Sequence, residues 1–208
     1  MTFVRTFAAV FLTACALASG AASAETYPDR PVTMIVAFPP GGADDATARI
    51  IQEPMQKALG QPIVIENIGG AGGMIAAAKA AHAAPDGSTI LLHQDALAAG
   101  MALYPNRTFD AEKDFVAIGL VNTTTNTLAG RPTLPLLAPT DTPRPIVDKL
   151  NSVLRAALAD AKVRKTFAEG GMDEYPPDQE TPEAASALLK REIKLWGDVV
   201  RTNHLVAK

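Results

Sequence analysis

Two glycine-rich segments contain the residue types that could bind a small anion. Residues 38–45 contain a Gly-Gly pair, and residues 67–73 contain four glycines. Each segment lies between a predicted strand and a predicted helix, where free backbone N–H groups and the positive end of the helix dipole converge. Glycine lets the main chain approach an anion without a side chain in the way. The two segments together could hold a carboxylate, although glycines here could equally serve only to allow tight turns.

Four polar side chains near these segments are further candidates. His93 and Asp95 follow a predicted strand and could contact one ligand, although a single histidine at a strand end is more often a polar surface residue. Asp44 and Asp45 lie at the start of a predicted helix, where capping is the default role of a carboxylate. The sequence therefore suggests polar contacts to a ligand near the two glycine-rich segments. It does not bring a nucleophile together with a base.

The motifs of enzymes and of nucleotide-binding proteins are missing. No glycine loop is followed by Lys-Ser or Lys-Thr, as a phosphate loop requires. The dinucleotide fingerprint fails at Ile75, where Gly or Ala is needed. There is no Gly-x-Ser-x-Gly elbow, and His82, His93 and His204 are scattered along the chain. We therefore expect neither an enzyme nor a bound cofactor or metal.

Composition excludes several other classes of protein. The chain has 208 residues, 19 Lys plus Arg, 22 Asp plus Glu and a net charge of −3, so it lacks the basic excess of a nucleic-acid-binding protein. Aromatic residues make up only 5%, too few for base-stacking surfaces. Hydrophobic residues make up 48%, which is enough for a globular core.

The first 24 residues have the pattern of a secretory signal peptide. A basic start is followed by an apolar stretch, and Ala22-Ser23-Ala24 is a small-residue cleavage signal. The competing interpretation is a lipoprotein signal in which Cys15, the only cysteine of the chain, is acylated. Cleavage after Ala24 is favoured, because the apolar run before Cys15 is short. The pattern thus predicts a secreted protein.

Apolar runs and helical spacings alternate along the mature chain, which is typical of an α/β fold with a mainly parallel sheet flanked by helices. Pro54 is predicted to kink or break the first helix near Glu53, because proline removes a backbone hydrogen bond. Thr142 is predicted to cap a long amphipathic helix. The predicted strands are 31–38, 62–66, 88–92, 115–121 and 134–138, and the predicted helices are 43–59, 74–84, 95–103, 142–160, 161–169 and 181–203.

Several motifs, in this order and spacing, resemble the Bug-type solute receptors, the periplasmic binding components of tripartite tricarboxylate transporters. The resemblance covers nearly all of the mature chain. It implies a type II periplasmic-binding-protein fold and small carboxylate ligands held largely by backbone groups and water. The motifs are Tyr27-Pro28-Asp29-Arg30-Pro31-Val32, Phe38-Pro39-Pro40-Gly41-Gly42 with Asp45, Glu66-Asn67, Gly70-Ala71-Gly72-Gly73, Ala84-Pro85-Asp86-Gly87, Ala102-Leu103-Tyr104-Pro105, Lys113-Asp114-Phe115, Leu137-Ala138-Pro139 with Thr142-Pro143, and Glu192-Ile193 with Trp196.

The chain departs from that family most clearly in length. The family usually has a polar residue where Met74 stands and a glycine where Ala76 stands. About a hundred residues, one ordinary domain, are absent between the two blocks that match. We therefore expect a signal peptide at 1–24, the N-terminal part of the first domain at 25–126, a junction loop at 127–133 where the second domain is deleted, and the C-terminal part of the first domain at 134–208.

The resemblance implies a receptor for di- or tricarboxylates, impaired by truncation, with the membrane subunits of a transporter as partners. Without the second domain, one side of the ligand site would be exposed. A second copy of the chain could cover that side by forming a homodimer. The alternative is a degenerate single-domain interaction protein without a ligand, and a small secreted hydrolase is disfavoured. The expected ligand-binding residues are Phe38, Pro40, Gly41, Gly42, Asp45, Ala71, Gly72, Gly73, His93 and Asp95.

Overall fold

A computed structural model describes residues 27–124 and 133–205. The predicted signal peptide, with Cys15, lies outside the described residues. So does most of the predicted junction loop, residues 127–132. The predicted division into a first domain and a deleted second domain therefore stays a prediction.

One six-stranded mixed sheet forms the centre of the described chain. The order across the sheet is β2-β1-β3-β5-β4-β6. β1 pairs in parallel with β2 and β3, whereas β5 is antiparallel to β3 and β4, and β6 is antiparallel to β4. The predicted α/β class is confirmed, with parallel pairing confined to β2-β1-β3. The strands are Val32–Val36 (β1), Ile63–Asn67 (β2), Thr89–Leu92 (β3), Phe115–Thr124 (β4), Thr133–Pro139 (β5) and Met172–Asp173 (β6).

Helices cover both faces of this sheet. Alternate residues of β1 point to opposite faces, so Met34 packs in one apolar cluster and Ile35 in the other. Helices α1, α4 and α5 pack in the first cluster, and α2, α3 and α6 in the second. The helices are Ala43–Leu59 (α1), Met74–Ala81 (α2), Ala96–Leu103 (α3), Arg144–Leu158 (α4), Ala161–Glu169 (α5) and Pro182–Thr202 (α6).

Two local predictions about the helices are corrected. Helix α1 has the predicted bounds and ends at Gly60, which has φ = 78°, but it runs without a break through Pro54. The packing of α1 in its apolar cluster on both sides of Pro54 outweighs the lost hydrogen bond. Thr142 does not cap α4, because its hydroxyl donates to the Pro139 carbonyl at 2.7 Å, and Pro143 precedes the helix instead.

The two blocks of sequence share this single sheet. β5, from the C-terminal block, lies between β3 and β4 of the N-terminal block. Because β4 is antiparallel to β5 and β5 to β3, β4 runs in the same direction as β1, β2 and β3. The carboxyl ends of these four strands therefore lie at one edge of the sheet, which we call the carboxyl edge. No helix in the two described ranges is long and apolar enough to span a membrane.

Candidate ligand site

The first glycine turn, residues 38–42, lies at the carboxyl edge and is held by Asp45. The buried Asp45 carboxylate accepts hydrogen bonds from the Gly41 N–H at 2.9 Å, from Arg49 Nε at 2.9 Å and from Asn67 Nδ2 at 3.0 Å. The bonds from Arg49 and Gly41, with that from Asn67, lower the pKa of Asp45 to about 2. Asp45, the third residue of α1, thus reaches back past the N-cap residue Gly42 to bond the turn that precedes the helix. Asp45 therefore braces the turn, and its contact with a ligand stays a prediction.

The second glycine turn, residues 68–73, lies beside the first. Asn67 joins them, because its Nδ2 also donates to the Phe38 carbonyl at 3.1 Å. The turns approach so closely that a methyl group on Gly69 would lie 3.2 Å from the Pro39 ring. The predicted neighbourhood of the two turns is thus confirmed, and Asn67 is a linking residue absent from the predicted site list.

Most of the predicted backbone donors already have internal partners. The N–H of Gly41 donates to Asp45, that of Gly42 to the Pro39 carbonyl at 3.4 Å, and that of Gly73 to the Gly70 carbonyl at 2.9 Å. These bonds join residues close in sequence and therefore form at little entropic cost. The spacing of the glycines alone could not show whether their N–H groups would be used in this way. The N–H groups of these three residues are therefore not free in this structure, and their contact with a ligand stays a prediction.

The donors that remain free come from Ala71, Gly72 and the start of α1. Within the described residues, the N–H groups of Ala71 and Gly72 have no internal acceptor. Helix α1 has Gly42 at its N-cap and no side chain capping it, so the N–H groups of its first turn, starting at Ala43, stay open. Pro40, Gly41, Gly42, Ala71 and Gly72 are all exposed. The two turns therefore present N–H groups to solvent at one edge, beside the positive end of a 17-residue helix.

His93 lies beneath the second turn rather than at its surface. The ring is fully buried, packs edge-on against Phe38 at 5.8 Å between centroids, and donates from Nδ1 to the Gln94 carbonyl at 2.9 Å. Burial lowers its pKa to about 4, so it is neutral at pH 7. Its Nε2 faces Gly73, where any side chain would collide with it. His93 therefore supports the second turn from below, and its contact with a ligand stays a prediction.

Asp44 and Asp95 are two carboxyl groups at the starts of α1 and α3, and the charge of Asp95 acts on Asp44. Asp44 is 2% exposed, and its Oδ2 has no hydrogen-bond partner among the described residues. Burial, and then the charge of Asp95, raise the pKa of Asp44 to about 7. Burial also raises the pKa of Asp95, which is half-buried. Asp44 is thus a buried acid without a capping role, which the sequence did not distinguish from Asp45.

Two polar residues at the end of β4 complete this region, and sequence reasoning missed both. Asn122 is fully buried, and its Nδ2 donates to Thr47 Oγ1, one turn after Asp44, at 3.1 Å. Within the described chain, Asn122 Oδ1 and Thr123 Oγ1 have no partner. The signal available in the sequence was a pair of polar residues directly after the apolar run of β4.

A cavity of about 880 Å³ opens from this region towards α6. Asp95 and Thr123 line this cavity, together with Arg191 and Trp196 of α6. The described residues contain no cluster of three or more side chains that could hold a metal ion. The carboxyl edge thus combines exposed N–H donors with a buried group of acceptor atoms.

Comparisons with known proteins identify the relatives of this chain. Residues 47–136 match the family model "Tripartite tricarboxylate transporter family receptor". The chain is 42% identical over 125 residues to a UPF0065 protein from the TAR-I ttuE-ttuC' intergenic region of Agrobacterium vitis, covering 60% of this chain and 36% of that protein. It is 38% identical over 138 residues to Protein BugT of Bordetella pertussis, covering 65% of this chain and 42% of that protein. The chain therefore spans about two fifths of the length of these relatives.

The fold is similar to that of MatC from Rhodopseudomonas palustris, a structure solved with bound malate. The TM-score is 0.79 and the identity 25%, and the similarity covers 84% of this chain and 100% of that chain. This comparison confirms the predicted type of fold.

Proposed function

This chain is related to the Bug-type solute receptors of tripartite tricarboxylate transporters, and we propose that it binds a small carboxylate at the carboxyl edge. The observation that carries the proposal is the set of exposed donors: the free N–H groups of Ala71 and Gly72 beside the uncapped start of α1. A carboxylate there would gain charge-assisted hydrogen bonds and the attraction of the helix dipole. The malate bound to the structural relative MatC supports the same ligand class.

Asn67 links the two glycine turns into a single site. It bonds the first turn through the Phe38 carbonyl and the Asp45 carboxylate, and it directly precedes the second turn. Loss of its amide would leave the bond from Gly41 to Asp45 in the first turn and the backbone bond of the second turn, but the two turns could then shift relative to each other. Ligand binding by both turns therefore depends on Asn67 more than on any single glycine.

The proposed receptor has one lobe of a two-lobe receptor and binds weakly. Closure of two lobes expels water and strengthens each polar contact. In this chain the proposed site is exposed on one side, so a bound carboxylate would stay partly solvated. We expect a Kd on the order of millimolar, about 4 kcal/mol in total. A second copy, or a membrane subunit of the transporter, could supply the missing wall.

An NMR titration tests this proposal. The protein is secreted, purified from the periplasm, labelled with ¹⁵N and titrated with succinate, adipate and citrate. We expect the largest amide shifts at Ala43, Ala71 and Gly72, with a millimolar Kd. Asn67→Ala should weaken binding about tenfold, because it uncouples the two turns, whereas Asn203→Ala, an exposed site at the end of α6, should not.

The same titration decides between the competing functions. Absence of shifts for every carboxylate would reject the receptor and favour an interaction protein without a ligand. Micromolar binding by a demonstrated monomer would instead reject the one-lobe argument. The mass of the secreted protein tests the proposed processing: cleavage after Ala24 leaves an unmodified chain, whereas lipidation adds acyl groups to Cys15.

A further inference from the structure

A second cavity lies apart from the proposed carboxylate site. It has a volume of about 540 Å³, within the range of pockets that bind small molecules, and it lies between α2, the end of α3 and the chain that follows α3. Its described lining includes none of the residues that offer free N–H groups at the carboxyl edge. Most of its walls are apolar, and they are formed by Met74, Ile75, Ala78, Leu103 and Phe109.

The apolar wall of this cavity is open to solvent at Ile75. This side chain is 54% exposed, although it is apolar and lies in the first turn of α2. It rests on the second glycine turn, since a methyl group on Gly70 would lie 2.7 Å from its Cδ1. Tyr104, which also lines the cavity, lies against the same turn, with its hydroxyl 3.6 Å from where a methyl group on Gly72 would be. A ligand in the cavity would therefore cover apolar surface that water now contacts.

Arg107 adds a positive charge to the wall of the cavity. Its side chain donates one long hydrogen bond, from Nη1 to the Tyr104 carbonyl at 3.4 Å, and its buried Nε has no acceptor among the described residues. Asp110, the nearest carboxylate in sequence, pairs with Lys113 instead, at 3.5 Å. Because a partly buried guanidinium normally has an anionic partner, this charge favours an anion in the cavity.

We propose that this cavity binds a small molecule with an apolar body and a single anionic head group, the body against α2 and the head beside the Arg107 guanidinium. The site uses a side-chain charge and apolar walls, whereas the carboxyl edge uses backbone N–H groups. A purely apolar ligand would leave Arg107 without a partner, and a short polar anion would leave the walls exposed. A dicarboxylate fits poorly, because its second charge would lie against apolar side chains.

Hexanoate, 1-hexanol and propionate form a matched series for the test, because 1-hexanol keeps the chain without the charge and propionate keeps the charge on a shorter chain. Their Kd values are measured by NMR titration of protein with ¹³C-labelled Ile and Leu methyl groups, at pH 7 and low ionic strength. We expect the largest shifts at Ile75 and Leu103. Hexanoate should bind about tenfold more tightly than propionate and about fivefold more tightly than 1-hexanol. Hexyl phosphate, titrated alongside, shows whether a carboxylate or a phosphate is the preferred head group.

Two pairs of variants test the head and the body separately. Arg107→Gln should bring the Kd of hexanoate to within about twofold of that of 1-hexanol, because it removes the charge. Its matched control is Arg201→Gln, which changes the net charge equally at an exposed position paired with Asp198 and should leave the ratio unchanged. Ile75→Ala should weaken hexanoate and 1-hexanol alike, about threefold, and leave their ratio unchanged. Leu195→Ala, at a residue of α6 that is 52% exposed, is its control and should change neither Kd.

Several outcomes would overturn this site. Equal affinities for hexanoate and 1-hexanol would do so, as would shifts around Trp196 in the larger cavity in place of those at Ile75. Shifts at Ile75 that follow protein concentration instead of hexanoate would mean that a second copy of the chain covers the cavity. Asn67→Ala separates this inference from the proposed function, because it should weaken succinate at the carboxyl edge and leave hexanoate unchanged. Loss of hexanoate binding in Asn67→Ala would assign hexanoate to the carboxyl edge and reject the second site.

Discussion

The two glycine turns reach the same edge of the sheet but are held in different ways. The first turn is held by side chains, since Asp45 and Asn67 bond its backbone. The second is held by its own backbone, which has positive φ at four consecutive residues from Gly70 to Gly73. A turn held by side chains responds to charge and pH, whereas a turn held by backbone responds to any added Cβ atom. Substitutions in and beside the two turns test this difference.

Gly73→Ala should have the largest effect. The new methyl group would overlap Nε2 of the fully buried His93 and meet the Ala37 Cβ at 3.0 Å, at a residue with φ = 87°. Overpacking and left-handed strain together should cost about 3–5 kcal/mol in the free energy of unfolding. Urea denaturation measures it.

Gly60→Ala is the matched control for this prediction. Gly60 also has positive φ, but its added methyl group would have nothing within 4 Å. Gly60→Ala should lower the free energy of unfolding by about 1–2 kcal/mol, through left-handed backbone strain alone. Equal losses at both positions would show that the His93 contact contributes nothing to the second turn.

Asp44→Asn should stabilise the protein at neutral pH. The folded state holds the pKa of Asp44 at about 7, above its ordinary value of 3.8. A raised carboxyl pKa favours the protonated form in the folded state, so stability is lost as the pH rises from about 4 to 7. Asn cannot ionise, and the variant should gain on the order of 2 kcal/mol at pH 8.

The pH dependence of thermal unfolding provides the measurement. The wild type should lose stability between pH 4 and 7, and Asp44→Asn should lose much less over the same interval. An unchanged slope in the variant would contradict the assignment of that loss to Asp44.

Asp45→Asn should destabilise the first turn by about 1–3 kcal/mol, because the bonds from Gly41, Arg49 and Asn67 weaken. The pKa of Asp45 is lowered from 3.8 to about 2. Its contribution is therefore present above pH 4 and lost as the pH falls towards 2, opposite in sign to that of Asp44. Measuring the free energy of unfolding as the pH is lowered separates the effect of Asp45 from that of Asp44. If the wild type lost stability above pH 5, and this loss disappeared in Asp45→Asn, the assignment of the acid-side loss to Asp45 would be wrong.

Ala71→Gly should have the smallest effect. Ala71 has φ = 47°, which is strained for a residue with a Cβ atom. Glycine relieves that strain but gives the unfolded chain more freedom, so we expect a net stabilisation of about 0.5 kcal/mol. Thermal denaturation at pH 7 measures this change. A clear destabilisation would mean that the Ala71 methyl group packs usefully in the second turn.

Sequence predicted those parts of the fold that depend on local periodicity. The bounds of α1 followed from its apolar spacing and from Gly60, and α5 was equally clear. Strand direction does not follow from periodicity, because parallel and antiparallel strands both alternate, and so the antiparallel pairing of β5 was not predicted. The hydroxyl of Thr142 had two acceptable partners, and its choice of Pro139 depends on the tertiary fold.

The candidate site was predictable only to the level of its segments. The rule that ligands bind at the carboxyl ends of strands brought the two turns together. Which of two adjacent aspartates is paired and which is buried unpaired depends on contacts with Asn67 and Asp95, far apart in sequence. Asn122 enters the site through β4, whose position in the sheet the sequence did not give.

The pairing of Thr123 with Thr133 has a consequence for the connection between β4 and β5. Neighbouring antiparallel strands meet at the carboxyl edge, so the eight residues 125–132 join points that lie side by side. Lengthening a connection between adjacent points costs only about 0.6 kcal/mol per doubling of its length. A long insertion between these two points is therefore expected to leave the register of the sheet unchanged. The same junction offers a position for grafting a foreign domain onto this fold.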